Sequence, residues 1–413
     1  MPDIKPFRAI RPDPDHAGQL VFASPELIIM FNNERTEEVL PPLKTILESG
    51  ARARPETPEG QAAAYADIRQ SLHDLLSREK LWQEEKKGIY VYEIVHKTYR
   101  QTGIWALTAL NDYTAGNIKT HELTFADSVR RMKNYREHTG LEGSPVLLTY
   151  APDVTINRII AETRASGNAI AMGNTEAMHK LWKIEDQKII DQLVSAFAGI
   201  KTAYLADGHH RLASSARLAQ EQCANGVPVF DTISSLYIAT DQLHIREYDR
   251  VYLPDQPIEK HRLFRQMTDN FYIEKSPGNE PVRPSKLHRM GMLIENTWYL
   301  LTPRPHTHAN RDTARALDAA ILQDQLLAPV FSITDPGTDK RLKYFGGETA
   351  MQELLIYTAE HPSAIGFTLT PLTVGQLMAV ADAAEILPPK STWIDPKVPY
   401  GLLLYRHPVS ITL

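Results

Sequence analysis

The 413-residue sequence predicts a mixed α/β fold. Three observations carry that expectation. Runs of β-branched and aromatic residues alternate with segments of helical apolar spacing, as strands and amphipathic helices do when they share one core. Residues 89–95 and 104–110 are β-rich runs separated only by 97–103, the arrangement of a hairpin. Residues 200–206 form an apolar strand that passes through Asp207-Gly208 directly into a helix.

Taken in order, the first 60 residues are rich in proline and weakly periodic. They predict short strands and loops around the apolar runs 7–12, 20–22 and 27–30, a helix over 36–49 and a loop over 52–60. Ala64, Ile68, Leu72, Leu75 and Leu76 recur at helical spacing within 61–80. Beyond the hairpin come a basic helix at 128–139 and a strand at 145–150. The helix at 186–198 sets Ile189, Ile190, Leu193, Val194 and Phe197 on one face. After the strand at 200–206 a helix runs over 209–223, and 229–240 and 243–248 are strand-like. The C-terminal part repeats the mixture: a hairpin at 290–301, a helix at 314–327, a strand at 364–370 and a helix at 374–384. A boundary near 253–257 divides an α/β core, 1–253, from a C-terminal α+β portion, 254–413.

Composition removes several function classes. A chain of this length buries roughly three quarters of its unfolded surface, so it folds without disulfides or metal. Cys223 is the single cysteine, which excludes an intramolecular disulfide and a four-thiolate zinc site. With 45 Lys+Arg against 50 Asp+Glu, a broad grip on DNA is disfavoured while a local phosphate pocket is not. No apolar run approaches a membrane span, and the first residues lack a signal-peptide pattern; a cytoplasmic location is expected.

The sharpest local feature is Ala206-Asp207-Gly208-His209-His210-Arg211. A helix start presents unpaired backbone N–H groups and the positive end of the helix dipole, both of which attract anions. Gly208 lets a ligand approach the backbone, Arg211 could clamp a phosphate, and a histidine could donate to it or relay a proton. The alternative is a plainly capped helix with Asp207 as N-cap. Adjacent histidines on a helix diverge by about 100°, which disfavours a metal site there.

A second cluster runs from Asn111 to Thr124. Residues 112–117 have turn composition, and alternation beyond them sets Lys119 and His121 on one strand face with Glu122 opposite. Lys119 could hold a phosphate and His121 or Glu122 could act as base; the alternative is a solvated hairpin edge, with Arg130, Arg131 and Lys133 on a solvated helix face. A third cluster, Leu387-Pro388-Pro389-Lys390-Ser391-Thr392, is a rigid loop offering hydroxyls and one cation. It lacks the glycines of a P-loop, and neither Gly-x-Gly-x-x-Gly nor Gly-x-Ser-x-Gly occurs in the chain. Trp182 is expected in the core, and Arg246 and Arg250 at the surface.

Pro6-Phe7-Arg8-Ala9, Asp112-Tyr113 through Ile118–Thr124, Pro145–Tyr150, His179-Lys180-Leu181-Trp182, the Asp207–Arg211 element and Leu387–Thr392 occur in that order. The series resembles the bacterial and archaeal family called domain of unknown function 1015, over nearly the whole chain. The Asp-Gly-His-His-Arg element is also similar to the phosphate-binding motif of the ParB/sulfiredoxin-like superfamily, which includes CTP-binding partition proteins, sulfiredoxins and free-serine kinases. The resemblance implies a ParB/sulfiredoxin-like nucleotide-binding core with large insertions. It places Gly208, His209, His210 and Arg211 on nucleotide phosphates and makes Asp207 a candidate for metal or substrate contact. Sulfiredoxin chemistry needs a cysteine where this motif has histidine, and a partition-type clamp needs a basic region this chain lacks.

By analogy with the free-serine kinases, the resemblance implies a nucleotide-dependent phosphotransferase, using ADP or ATP with Mg²⁺ on a small hydroxylated metabolite such as free L-serine. On this reading Lys119 adds positive charge, Glu122 or His121 accepts the proton of the attacking hydroxyl, and Asp207 is a further catalytic candidate through metal or substrate contact. Lys390 and Ser391 close the site, and no residue is a dedicated metal ligand. The competing expectation is a nucleotide-binding regulatory or scaffold protein without turnover.

Overall fold

The structure is a computed structural model that describes residues 2–22, 40–48, 57–224, 230–278 and 280–408. The expected strand at 27–30 and residues 52–56 of the expected loop lie outside the described residues, as do 36–39 and 49 of the expected helix, whose described part is helical over Leu43–Leu47. It is a mixed α/β protein of two compact units. The first comprises Met1–Lys119, Thr124–Gln242 and Pro396–Leu413; the second comprises Thr120–Leu123 and Leu243–Asp395.

This division differs from a single cut at 253/254, for a physical reason. Leu404 exchanges backbone hydrogen bonds with Ile10, and Tyr405–Arg406 pairs with Leu141–Glu142, so the C-terminal segment belongs to the first unit. The strand Tyr248–Tyr252, conversely, pairs with Leu342–Gly346 and Ile365–Thr368 of the second unit. Long-range strand pairing of this kind leaves no trace in local composition.

The first unit is built on a nine-stranded mixed sheet. Its order is Ile118–Lys119, Ala203–Asp207, Val146–Tyr150, Thr232–Ala239, Arg100–Ala109, Ile89–His96, Ala177–Ile184 and Ile170–Gly173, with Ile4–Lys5 also pairing with Arg100–Ala109. The expected hairpin forms with Tyr92 opposite Gly103. Its strands are buried on both faces, which explains why they read as continuous apolar runs rather than as alternation. The helices Val154–Ala165 and Gln187–Ala198 pack Ile156, Ile159, Ile160, Ile190, Leu193 and Phe197 into the core with Ile104, Leu148 and Tyr237. Asp153 and Asp186 cap them by accepting from Ile156 N and Lys188 N. Elsewhere in this unit Ala126–Thr139 packs against both Pro58–Ser77 and His209–Ala224. Trp182 is buried, as its apolar setting predicts.

The second unit carries a six-stranded antiparallel sheet in the order Phe271–Lys275, Thr297–Pro303, Met290–Ile294, Ile365–Thr368, Tyr248–Tyr252 and Leu342–Gly346. The predicted hairpin at 290–301 and strand at 364–370 are both present in it.

Three local expectations are corrected. Leu20-Val21-Phe22 lies in a wide helical turn, Gly18–Phe22, because Leu20 is needed in a cluster with Leu43, Leu47 and Leu72. The helix expected at 314–327 is α-helical only over Asp318–Leu322, then widens to a π turn over Gln323–Leu327. The buried pairs Ile321-Leu322 and Leu326-Leu327 are five residues apart, and the wide turn brings both to the same core. Arg250 is buried rather than surface-exposed. It sits on a strand flanked on both sides, where its guanidinium donates to the carbonyls of Tyr248 and Lys390 and lies over the Tyr344 ring.

Candidate functional site

The strand Ala203–Asp207 ends in an irregular register against Val146–Tyr150, and the chain turns at Gly208 with φ +99°. This is the region that favours glycine, and space enforces the same choice. A Cβ on Gly208 would lie 2.8 Å from Arg211 Nη2 and 3.0 Å from a Val146 methyl. The helix His209–Ala224 follows, its first bond running from Leu212 N to the Gly208 carbonyl. Asp207 is therefore the last strand residue and not the cap. Its Oδ2 accepts from Arg211 Nη2 at 2.7 Å and its Oδ1 from Lys397 Nζ at 2.7 Å. Burial opposes ionisation of Asp207, but the charges of Arg211 and Lys397 outweigh it and hold the carboxyl well below its ordinary range.

Arg211 has a second feature. Its Nε is buried and has no hydrogen-bond partner among the described residues. The side chain borders a cavity of about 130 Å³ whose wall includes Arg131, Arg136, Glu142, Gly143, Ser144 and Tyr400. Gly143 is required there because the Tyr400 ring occupies the place of any Cβ. Behind the wall Arg136, Glu142 and His407 form a buried ionic group. Glu142 Oε1 lies 3.2 Å from Arg136 Nε and accepts from His407 Nε2 at 2.6 Å, while its Oε2 accepts from Ser234 N at 2.9 Å. Burial raises the Glu142 carboxyl, yet Arg136 and these hydrogen bonds bring it down to about 2. It is a fixed anion paired with Arg136, and Glu48 also borders the cavity beside Arg131 and Arg211.

The two histidines of the motif diverge, as their spacing on the helix requires. His209 is buried. His210 accepts from Phe125 N at 3.0 Å through Nε2 and stacks on the Phe125 ring, which puts its remaining proton on Nδ1. Lys119 belongs to the same unit, half-buried at the end of the two-residue strand Ile118–Lys119, where it pairs with Tyr204. That strand stops at Lys119, so Lys119 and His121 do not share a strand face. The turn before it is helical over Asn111–Thr114.

His121, Glu122, Lys390 and Ser391 belong to the second unit. Within it the second and third sequence clusters meet: Leu387 N donates to the His121 carbonyl at 2.9 Å. The His121 ring is buried, which pushes it down to about 4 and keeps it neutral near pH 7. Glu122 is half-buried. Lys390 has a left-handed backbone, φ 59°, and its Nζ lies 5.8 Å from the centre of the Tyr248 ring. The Ser391 hydroxyl donates to the Pro388 carbonyl at 2.7 Å, closing the Pro-Pro-Lys-Ser turn on itself.

The structure thus brings Asp207, Gly208, His209, His210, Arg211 and Lys119 together in one unit, and His121, Lys390 and Ser391 in the other. Sequence reasoning missed Lys397, Arg136 and Glu142. Nothing near Lys397 signals a partner 190 residues away. Arg136 and Glu142 flank a helix end without any motif. Arg131 is exposed on its helix, as expected, and also borders the cavity. Mg²⁺, implied by the resemblance, finds no group of three or more acidic, histidine or cysteine ligands among the described residues. Both Asp207 oxygens are already committed to cations. The fit is poor, and no step is derived through the ion.

The family model described as Protein of unknown function (DUF1015) matches residues 4–320. The chain belongs to this family. The DUF1015 match spans the hairpin, the Asp207–Arg211 element and the cavity wall up to Arg211, but not Lys390, Ser391 or Lys397. No curated protein matches the chain. Among solved structures, C-terminally truncated SbnI from Staphylococcus aureus is 12% identical, covering 72% of this chain and 87% of that one, with a TM-score of 0.39. A free serine kinase in complex with AMP is 13% identical, with coverages of 72% and 92% and a TM-score of 0.38. A conserved hypothetical protein from Pyrococcus furiosus is 10% identical, with coverages of 72% and 95% and a TM-score of 0.35. No helix among the described residues is long and apolar enough to cross a membrane.

Proposed function

We propose that the first unit binds ADP or ATP at the start of the His209–Ala224 helix, and that the protein transfers a phosphoryl group to a small hydroxylated metabolite, free L-serine being the first candidate. The observation that carries the binding part is Arg211: one nitrogen is fixed on Asp207, and a buried Nε lacks an acceptor beside an arginine-lined cavity. A phosphate oxygen supplies that acceptor, close to the N–H groups of the helix N-terminus. Phosphoryl transfer asks mainly for such charge neutralisation and positioning. The acceptor hydroxyl must also lose a proton. The reading agrees with the motif resemblance noted in the sequence.

One observation favours a second reading, a nucleotide-binding protein without turnover. Asp207 and Glu142 are both held ionised by cations, and a carboxylate so stabilised is a weak base. Incubation with ADP or ATP, Mg²⁺ and serine, followed by detection of phosphoserine, separates the two. Nucleotide binding with no phosphorylation of serine or of a broad panel of hydroxylated metabolites leaves the second reading standing. Arg211→Ala is expected to weaken nucleotide binding by about tenfold or more; unchanged affinity removes both.

A further inference from the structure

A second cavity of the first unit, about 450 Å³, is separate from the one beside Arg211. Three cations, Arg8, Lys87 and Arg406, line it, and no carboxylate does among the described residues. In a chain with a net charge of −5, three cations on one wall concentrate positive charge, with Glu142 and Asp231 set behind His407 and Tyr405. Arg8 is anchored at the wall by its Nε donating to the Glu84 carbonyl at 2.8 Å. Phe7 and Tyr405, in edge contact with ring centres 5.7 Å apart, give the cavity an apolar side.

The remaining wall residue that matters is His407, which is 2% exposed. Its Nε2 is committed to Glu142 at 2.6 Å. Its Nδ1 is buried with no hydrogen-bond partner among the described residues. A buried polar atom left unmatched costs about 1–3 kcal/mol.

We propose that this cavity is a binding site for a small organic anion with an apolar ring, a phosphate or carboxylate held by Arg8, Lys87 and Arg406 and the ring set against Phe7 and Tyr405. The volume lies within the ordinary range of small-molecule sites. His407 joins this site to the other cavity, because Glu142, its partner, lines that one. The proposal does not depend on the phosphotransferase reading.

The test is calorimetric titration of the full chain with phenyl phosphate, benzoate and inorganic phosphate. Phenyl phosphate, benzoate or both are expected to bind, more tightly than inorganic phosphate; which of them does so tells a phosphate ligand from a carboxylate one. Lys87→Ser combined with Arg406→Ser, both outside the core, is expected to weaken that binding by about tenfold or more. Arg211→Ala is expected to leave it unchanged. Binding of neither ring compound overturns the proposal. So does binding that survives the double substitution, or that disappears with Arg211→Ala.

Discussion

Lys397 donates from Nζ to Asp207 Oδ1 at 2.7 Å across 190 residues of sequence, and on the other carboxylate oxygen Arg211 makes an equally short bond from within the same helix start. The C-terminal segment thereby fixes the side chain that ends the motif strand. Burial opposes ionisation of Asp207, while the Coulombic pull of Arg211, then that of Lys397, and the two hydrogen bonds lower its carboxyl.

Lys397→Met is expected to move the Asp207 carboxyl upward, toward its ordinary value near 3.8. The folded-state pKa lies below the unfolded one, so the pair stabilises the protein above the ordinary carboxylate range and that contribution fades as the pH falls below it. Carboxyl-carbon NMR of Asp207 in wild type and variant reads the shift directly. An unchanged titration in the variant means that Lys397 carries none of the effect.

Gly208→Ala forces a side chain into a backbone conformation with φ +99° and into contact with Arg211 Nη2 and Val146. Such strain costs about 1–3 kcal/mol. Urea unfolding should show a loss in that range, and the variant should bind nucleotide more weakly because Arg211 must move off Asp207. A fully stable variant with intact affinity would show that neither the turn nor the close approach matters.

Much of the fold was legible where local pattern decides structure. The hairpin at 89–110, the helix capped by Asp186 and the strand–Gly208–helix element all follow from period and turn chemistry. The π turn at Gln323–Leu327 did not, because its apolar spacing averages to an ordinary helix over a longer window. Arg250 was misplaced because a charged residue in a short strand reads as exposed until its two neighbouring strands are known. The site divides the same way. Residues 207–211 stand out as a contiguous motif, whereas Lys397, Arg136 and Glu142 act through contacts between distant segments. His121 was read as part of a strand that ends two residues earlier.

Glu142→Gln removes the anion shared by Arg136 and His407 in a buried setting. Breaking one partner of a buried ionic group costs about 3–5 kcal/mol, since the remaining charge stays uncompensated. Glu142 is held down at about 2 against an ordinary 4.5, so its contribution is complete above pH about 4.5 and disappears as the pH falls toward 2. Urea unfolding at pH 7 should therefore separate variant from wild type strongly, and unfolding near pH 2 should bring them together. A gap that persists at low pH would trace the loss to packing rather than charge.

His121 has the same sign in a higher pH window. Its ring is buried and titrates at about 4, below the ordinary 6.5, because burial disfavours the imidazolium. The unfolded chain takes up this proton as the pH falls below 6.5 while the folded protein does not, so stability is lost between 6.5 and about 4 and levels off below. A shift of this size corresponds to roughly 3 kcal/mol. His179, also buried and also lowered to about 4, adds a parallel contribution. His121→Gln should remove only its own share, flattening the profile of unfolding free energy across that window without affecting it above pH 7. If the slope is unaltered in His121→Gln, the ring titrates in the folded protein near the ordinary 6.5, and burial does not disfavour its imidazolium.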